Sequence, residues 1–258
     1  MLEMVKRVLP LLVAAGALVA LWELLRAAGV LAPALAPTFG AVVDASFDLL
    51  RDGEFLLDVW QTARRTLVGL AVGLLGGVPL GALMGMSRNV ARGAGPLVDF
   101  FRALPAVALL PALATLFGIG EFTKTLLIAI PSGLLVATFS YFACREVSPE
   151  LIETLELRGL SRGEVVRAVF VPAILYRLPS GVRYALPLAL ALAVVADMFV
   201  GARHGLGLRL IAYQETFQLA HLYGTIMIAG VLGAAMYALS FVVIPRRLRT
   251  QQNGGALW

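Results

Sequence analysis

Four charged residues stand inside apolar stretches of the sequence, and three of them could carry chemistry there: Asp99, Arg102 and Asp197. The fourth, Glu23, interrupts the first of these stretches. A charge within a membrane is costly, so it usually faces protein or water, where it pairs with another charge or contacts a solute. Asp99 and Arg102 are three residues apart, so on a helix they share one face and can pair. The pair is either structural or part of a translocation path. Asp197 has no close charged neighbour in the sequence, so it either reaches interfacial water or lines such a path.

Sequence patterns that would supply enzymatic chemistry are scarce. The chain has no G-x-x-x-x-G-K-[ST] phosphate loop and no H-E-x-x-H zinc motif. The single cysteine, Cys144, cannot form an intrachain disulfide, and no spacing of metal ligands surrounds it. We therefore expect no catalytic residue, no metal site and no cofactor bound by this chain.

The composition is that of an integral membrane protein. The chain has 258 residues, of which 60% are hydrophobic and 14% are charged, and its mean hydropathy is +0.88. Soluble domains are about 45–50% apolar and about 25% charged. The net charge is +5, but the basic residues lie between apolar spans and form no stripe. The expected partner is therefore the lipid bilayer and not nucleic acid.

Six segments are long enough to cross a bilayer, which takes about 20 apolar residues. They are Val8–Leu25, Thr66–Ser87, Pro96–Gly118, Thr125–Cys144, Tyr184–Ala202 and Thr216–Pro245. Lys and Arg are more frequent in the connections that share a side with the N-terminus, which predicts both termini in the cytoplasm. We therefore predict a single all-α transmembrane domain over residues 1–258 with six transmembrane helices.

The connection between the first two predicted spans has a pattern of its own. This connection, Ala36–Arg65, contains FDLLRDGEFLLDVWQTARR (47–65), in which acidic and apolar residues are mixed at helical spacing. This pattern predicts one amphipathic helix at the outer surface of the membrane. The helix either packs on the transmembrane bundle or binds an external partner.

Glycine recurs at every fourth position of the second predicted span. The residues are Gly69, Gly73, Gly77, Gly81 and Gly85. A stripe without side chains lets another helix approach closely, and close packing drives the association of helices in lipid. The partner helix belongs either to the same subunit or to a second one. Pro79 lies within the stripe and is expected to kink or loosen the helix.

A polar segment with sharply marked helix ends lies between the fourth and fifth predicted spans. Serine followed by proline at 148–149 is typical of a helix start, and Gly159 is typical of a helix end. The S-x-x-E capping box at 161–164 starts a second helix, and Pro172 is expected to end or bend it. Residues 148–178 are therefore predicted to form a helix–turn–helix on the cytoplasmic face.

This segment resembles the E-A-A-x(3)-G-x(9)-I-x-L-P loop of permease subunits of binding-protein-dependent ABC importers. Glu153, Gly159 and Pro172 have the spacing of that loop, although E-A-A reads E-T-L and I-x-L-P reads V-F-V-P here. Four further stretches are similar to the nitrate, sulfonate and taurine permeases of the family. They are LAPTFGAVVDASFDLL (35–50), FRALPAVALLPALATLFGIGEFTK (101–124), LPSGVRYAL (178–186) and GLGLRL (205–210). The resemblance covers Trp22–Arg247.

The resemblance implies a type I ABC importer-like permease of the bacterial cytoplasmic (inner) membrane, in which a cytoplasmic coupling helix contacts a separate ATPase. Two copies of the chain would form the solute pathway, and a periplasmic or lipid-anchored solute-binding protein would deliver the solute. ATP and magnesium would bind to the ATPase, so the chain itself would not be an enzyme. The residues implied in ATPase coupling are Glu153, Gly159, Ser161, Arg162, Glu164 and Pro172.

The substrate implied is a small polar or anionic solute, organic or inorganic. Similar permeases import nitrate, taurine, alkyl sulfonates, aromatic acids, or thiamine and flavin precursors. The main alternative is a gradient-driven secondary carrier or channel, which would move solute as the purified chain alone. A membrane scaffold or assembly factor is a further alternative, for which deletion would leave transport unaffected.

Overall fold

The computed structural model describes the backbone of residues 2–32, 34–201 and 203–243. Within these ranges the regular elements are helices, and no strand occurs. The α-helices are α1 (Leu2–Ala27), α2 (Phe39–Arg51), α3 (Gly53–Met86), α4 (Arg88–Ala103), α5 (Leu109–Phe117), α6 (Glu121–Arg145), α7 (Pro149–Leu157), α8 (Arg162–Val165), α9 (Val171–Phe199), α10 (Leu206–Glu215) and α11 (Leu219–Val243). A 3₁₀ turn spans Ala106–Ala108, and a π turn spans Val166–Phe170. The predicted all-α class is confirmed.

The number of membrane spans can be counted only over the described residues. There, 4 helices are long and apolar enough to cross a membrane, or 5 if α4 and α5 count as one bent span. The first predicted span, Val8–Leu25, falls on α1, where the side chains of residues 2–9, 11, 12 and 15 lie outside the described ones. The last two residues of the sixth span, 244–245, also lie outside them. A total of six spans stays a prediction.

The third predicted span, Pro96–Gly118, is wrong as a single helix, because α4 and α5 meet at an angle of 93°. Proline has no N–H and disfavours helical backbone at the residue before it. Leu104, which precedes Pro105, is accordingly extended (φ −70°, ψ 135°) and ends α4. The chain therefore turns by nearly a right angle inside the predicted span.

The predicted amphipathic helix within 36–65, read in residues 47–65, is wrong as a single helix. α2 ends at Arg51, and α3 begins at Gly53 and runs on through the second predicted span. The Asp52 carboxylate accepts a hydrogen bond from the Glu54 N–H (2.9 Å), so it satisfies a free donor at the start of a new helix. Most of the predicted helix, residues 53–65, is thus the first part of a membrane-spanning one.

Two compact units divide the chain: Met1–Leu57 with Arg209–Ala229, and Asp58–Leu208 with Gly230–Trp258. In the first unit, hydrogen bonds join α1 to the start of α2. Trp22 Nε1 donates to Pro37 O (3.1 Å), and the Phe39 N–H donates to the Glu23 carboxylate (2.6 Å). Glu23, which interrupts the first predicted span, thereby has a partner. The assignment of 1–258 to one permease domain stays a prediction.

The core of the second unit is formed by α3, α6 and α9. Its buried residues are Leu70, Ile128, Val136, Ala185, Leu186, Ala189, Leu192 and Ala193. The five residues from α9 follow the spacing i, i+1, i+4, i+7, i+8, which places them on one face of a helix. That face is turned toward α3 and α6, so these three helices hold the polar sites described below.

The glycine stripe lies against α6 of the same chain. A Cβ atom on Gly73 would lie 2.7 Å from the Ala129 carbonyl oxygen, and one on Gly77 would overlap the Gly133 carbonyl. A Cβ atom on Gly81 would overlap the Ala137 carbonyl, and Cβ atoms on Gly69 and Gly85 would lie 2.5 Å from the Cβ atoms of Ile128 and Cys144. Backbones this close leave no room for side chains, so the stripe packs two helices of one subunit together.

Candidate functional site

Residues 148–172, named segment 148–172 below, form a helix–turn–helix with capped ends. At the start of α7, Ser148 Oγ accepts a hydrogen bond from the Leu151 N–H (3.2 Å). At the start of α8, the Glu164 N–H donates to Ser161 Oγ (3.4 Å), and the Ser161 N–H donates to Glu164 Oε2 (2.7 Å). These bonds satisfy N–H groups that have no partner within their own helices, so each helix begins at a defined residue.

Gly159 closes α7 in the left-handed conformation. Its φ is +89°, a value that residues with a side chain adopt only at a cost. The Gly159 N–H donates to Glu156 O (2.9 Å), and the Leu160 N–H donates to Leu155 O (3.2 Å). These are the two hydrogen bonds of a Schellman motif. The turn between the two helices therefore depends on glycine at this position.

Pro172 does not end the second helix of the segment, so that part of the prediction is wrong. The π turn joins α8 to α9, and Pro172 falls in the first turn of α9. A π turn adds one residue to the helical repeat, which makes room for the proline ring near the carbonyl of the preceding turn. The helix therefore runs without interruption from Arg162 to Phe199.

One face of segment 148–172 packs on the ends of three long helices. Val165 and Phe170 are buried together with Ala143 and Cys144 of α6 and Ile174 of α9. Partly buried side chains around them are Val78, Ala82, Val147, Ile152, Leu155, Leu160 and Val166. This core fixes the segment to α3, α6 and α9.

The opposite face of segment 148–172 is exposed. It carries Glu153, Arg158 and Arg162. Leu157, at the end of α7, is 83% exposed among these charged residues. The segment thus presents a surface with both charged and apolar groups on a rigid support.

Residues 159–163 read G-x-S-x-G, a pattern that marks a nucleophilic serine where it joins a strand to a helix. Here it joins two helices, and the Ser161 hydroxyl donates a hydrogen bond to the Glu164 carboxylate (2.7 Å). The pattern therefore supplies a turn and a cap. Over the part of the chain that the structure describes, no group of 3 or more His, Cys, Asp or Glu side chains could hold a metal ion.

A second set of polar residues lies at the other ends of α3, α6 and α9, buried except for Glu121, and we name it the ionic cluster. Its members are Asp58, Thr62, Arg65, Glu121, Lys124 and Asp197. Arg65 forms a two-pronged pair with Glu121 (2.7 and 2.9 Å) and also bonds to Asp197 (2.8 Å). Asp197 accepts a further hydrogen bond from Thr62 (2.7 Å). Paired charges of this kind can remain buried, because each compensates the other.

Lys124 is held less closely than the other members of the ionic cluster. Its side chain is 1% exposed, and Nζ lies 3.5 Å from Glu121 Oε1 and 3.8 Å from Asp197 Oδ1. It makes no hydrogen bond to any residue that the structure describes. A buried charge is compensated well only by close, hydrogen-bonded partners, so Lys124 stabilises the cluster less than Arg65 does.

The ionic cluster also holds the turn that precedes α10. Its hydrogen bonds run from Arg65 Nη1 to His204 O (2.6 Å), from the Gly205 N–H to Asp58 Oδ1 (2.9 Å), and from the Leu206 N–H to Thr62 Oγ1 (2.9 Å). A Cβ atom on Gly205 would overlap the Asp197 carboxylate. The glycine therefore allows the turn to lie directly on the cluster.

The position of Asp197 corrects one interpretation of the sequence. Asp197 is 1% exposed, so it does not reach interfacial water. The sequence analysis missed the ionic cluster, although Asp58, Thr62 and Arg65 have the spacing i, i+4, i+7 of a single helix face. That spacing signals a polar face within a span. This face bonds to Asp197 and to the turn at 204–206, which lie 132 to 147 residues further along the chain, where no local pattern reveals them.

Asp99 and Arg102 lie elsewhere, on α4. Their side chains pair at 3.7 Å and line a cavity of about 380 Å³ together with residues of α3 and α6. On α6 the cavity lining begins at Ala137, whereas the ionic cluster is at Lys124. At 1.5 Å per residue these positions are about 20 Å apart along the helix. The structure therefore does not bring Asp197 together with Asp99 and Arg102.

Residues 77–250, more than half of the chain, match the family described as Binding-protein-dependent transport system inner membrane component. The chain belongs to this family. The matched range of the permease contains all of segment 148–172 and the Asp99–Arg102 pair. It also contains Glu121, Lys124 and Asp197 of the ionic cluster.

The permease is similar to curated relatives along most of its length. A probable ABC transporter permease protein of Brucella melitensis biotype 1 is 30% identical over 215 residues, which are 83% of this chain and 86% of the relative. A putative aliphatic sulfonates transport permease protein, SsuC of Bacillus subtilis, is 26% identical over 216 residues, which are 84% of this chain and 78% of the relative.

Among solved structures, the permease is similar to a chain of the MetNI methionine ABC transporter in an inward-facing conformation. The TM-score is 0.63 at 23% sequence identity, covering 75% of this chain and 94% of that one. The predicted fold, that of a type I ABC importer permease, is confirmed. The predicted function, a permease subunit of an ABC importer in the inner membrane, is confirmed by the family.

Proposed function

We propose that this permease forms one half of a solute pathway and that segment 148–172 couples the pathway to a separate cytoplasmic ATPase. The proposal rests on the different environments of the two faces of the segment. One face is packed on α3, α6 and α9, and the other face, with Glu153, Arg162 and Leu157, is exposed. A rigid element that is packed on one face and free to bind on the other can transmit a movement of its binding partner to the helices on which it is packed.

A movement of the ATPase would be transmitted from segment 148–172 to the solute pathway through two connections. The first is covalent, because α8 continues through the π turn into α9 without a break. The second is packing, because Val165 and Phe170 are buried against Ala143 and Cys144 of α6. Packed helices move as units, since interiors are dense and transmit strain. A displacement of the segment would therefore shift α6 and α9 together.

Each residue implied in coupling has a place in this proposal. Glu153 and Arg162 lie on the exposed face, where charged groups of the ATPase could pair with them. Gly159 shapes the turn, and the capping box of Ser161 and Glu164 fixes the start of α8. Pro172 opens α9 directly after the π turn.

The complete transporter that we infer contains two copies of this chain, an ATPase that binds ATP and magnesium, and a periplasmic or lipid-anchored binding protein. Both termini and segment 148–172 would face the cytoplasm, because Lys and Arg are enriched on that side. The permease itself would perform no hydrolysis. The family description and the relatives' names support this assembly, since both refer to binding-protein-dependent or ABC transport.

The solute would be small and polar or anionic. The named function of the Bacillus subtilis relative, transport of aliphatic sulfonates, supports this class. The 380 Å³ cavity next to Asp99 and Arg102 has a volume suited to such a molecule.

The coupling role is tested by two glycines of the segment. A Cβ atom would meet nothing within 4 Å at Gly159 or Gly163, but only Gly159 has a positive φ. Gly159→Val therefore strains the backbone by about 1–3 kcal/mol, whereas Gly163→Val fits a helix. In liposomes with all subunits, we expect Gly159→Val to abolish uptake and the stimulation of ATP hydrolysis by loaded binding protein. Gly163→Val should retain both, and membrane levels should be normal for each variant.

Two further variants refine the experiment. Ser161→Ala removes a cap worth about 1 kcal/mol and should give the same uncoupling in weaker form. Arg162→Cys, combined with a cysteine on the ATPase surface, should form a cross-link. Full ATP-dependent uptake by Gly159→Val would show that segment 148–172 is a passive loop.

A further inference from the structure

The cavity beside α4 has the size and the chemical variety of a binding site for a small solute. It encloses about 380 Å³, and its lining includes Asp99, Arg102, Thr138, Tyr141, Met84 and Phe142. Binding cavities for small molecules usually measure about 300–1,000 Å³. The volume therefore fits a molecule with few heavy atoms.

Two opposite charges face this cavity, and they are only loosely joined. Of the described residues that line it, Asp99 and Arg102 are the charged ones. Their side chains are 76% and 42% exposed, and the contact between them is a single N–O distance of 3.7 Å. An exposed pair at i, i+3 contributes little to stability. Each group can therefore turn toward a ligand at small cost.

The remaining walls offer complementary contacts. Thr138 donates its hydroxyl hydrogen to Leu134 O (3.0 Å), which leaves the oxygen able to accept a hydrogen bond. Met84 and Phe142 provide apolar surface, against which a short alkyl chain could pack. The cavity thus combines a carboxylate, a guanidinium, an acceptor oxygen and an apolar wall.

The cavity is also close to segment 148–172. Tyr141 and Phe142 of α6 line it, and the next two residues, Ala143 and Cys144, are buried against the segment. A ligand in the cavity would therefore contact the same turn of α6 that supports the proposed coupling element.

We propose that this cavity binds a small zwitterion, with its ammonium group toward Asp99 and its sulfonate or carboxylate toward Arg102. A purely anionic solute would be attracted by Arg102 but repelled by Asp99 beside it. A cation would be attracted by Asp99 but repelled by Arg102. A zwitterion gives each charge a charge-assisted hydrogen bond and leaves none unpaired. The inference rests on the proposed transport function and narrows the class of its solute.

Direct binding to the full-length permease in lipid nanodiscs tests this inference. The probes are taurine, isethionate, which has a hydroxyl in place of the ammonium, and ethylammonium, which lacks the sulfonate. Isothermal titration calorimetry should show that taurine binds at least about tenfold more tightly than either of the others. Asp99→Asn should weaken taurine and tighten isethionate, so that their order reverses. Arg102→Gln should weaken taurine and isethionate and leave ethylammonium unchanged.

A matched control is available on α2. Asp48 and Arg51 form an exposed i, i+3 pair at 3.6 Å, and neither residue lines the cavity, so Asp48→Asn removes the same kind of contact without changing the cavity lining. It should change none of the affinities. Absence of taurine binding, equal affinities for taurine and isethionate, or equal effects of Asp99→Asn and Asp48→Asn would each overturn the inference. The assay needs neither ATPase nor ATP, so its failure is distinct from failure of the coupling experiment with Gly159.

Discussion

Adding a methyl group to α3 should have different effects on stability at two nearby glycines, Gly73 and Gly76. A Cβ atom on Gly73 would lie 2.7 Å from the Ala129 carbonyl oxygen, whereas one on Gly76 would meet nothing within 4 Å. Ordinary contact begins near 3.4 Å, so Gly73→Ala requires α3 and α6 to separate by about 0.7 Å, judged from that same limit. A carbonyl cannot rotate away as a side chain can, and overpacking costs about 1–3 kcal/mol.

Gly76→Ala serves as the control for this prediction. It adds the same methyl group to the same helix, and alanine is favoured over glycine in a helix by about 1 kcal/mol. Because Gly73→Ala has the same propensity gain, the two variants should differ in free energy of unfolding only by the overpacking cost, about 1–3 kcal/mol. Gly77→Ala should be less stable than Gly73→Ala, because its Cβ would overlap the Gly133 carbonyl more deeply.

Equilibrium unfolding of the purified chain from detergent micelles by SDS, followed by circular dichroism, measures these differences. Uptake in liposomes should fall in the order of the lost stability. Equal unfolding curves for Gly73→Ala and Gly76→Ala would refute the reasoning, because they would mean that α3 does not approach α6 along the glycine stripe.

Two further predictions concern the ionic cluster and the topology. Asp197→Asn leaves Arg65 and Lys124 with fewer partners and should lower the free energy of unfolding by about 3–5 kcal/mol. Lys124→Met should lower it less, because Nζ has no hydrogen bond to a described residue. Equal losses of stability in the same unfolding assay would contradict this ranking. Reporter fusions after Arg88 and Gly159 should report the cytoplasm, and a fusion after Gly120 should report the outside; an external signal at Gly159 would exclude contact between segment 148–172 and a cytoplasmic ATPase.

Local chemistry alone determined the parts of the structure whose cause lies within a few residues. Runs of about 20 apolar residues predict membrane helices because the bilayer core has a fixed thickness. Ser161 and Glu164 predict a helix start because the donors they satisfy are three residues away. Gly159 predicts a turn because its own backbone must adopt a positive φ. For the same reason the family resemblance could be recognised from the spacing within segment 148–172.

Other features were decided by the tertiary structure. Proline marks a helix disturbance in the sequence, yet Pro105 separates two helices whereas Pro172 lies in a continuous one, because a π turn precedes it. The glycine stripe was visible, but its partner became known only when α6 was found against it. In both cases the outcome depended on what packs around the residue.

The ionic cluster is the clearest example of a feature that the sequence alone could not predict. Arg65 and Asp197 are 132 residues apart, so no local pattern of the sequence reveals that they pair. Their pairing exists because α3, α6 and α9 converge there, and Gly205 lets a turn lie directly on the carboxylate. Helix capping is a short-range interaction, whereas the compensation of a buried charge depends on which distant groups the fold brings within hydrogen-bond distance. That is why the sequence alone determined the helix caps and the turn of segment 148–172, whereas only the tertiary structure determined which residues pair in the ionic cluster.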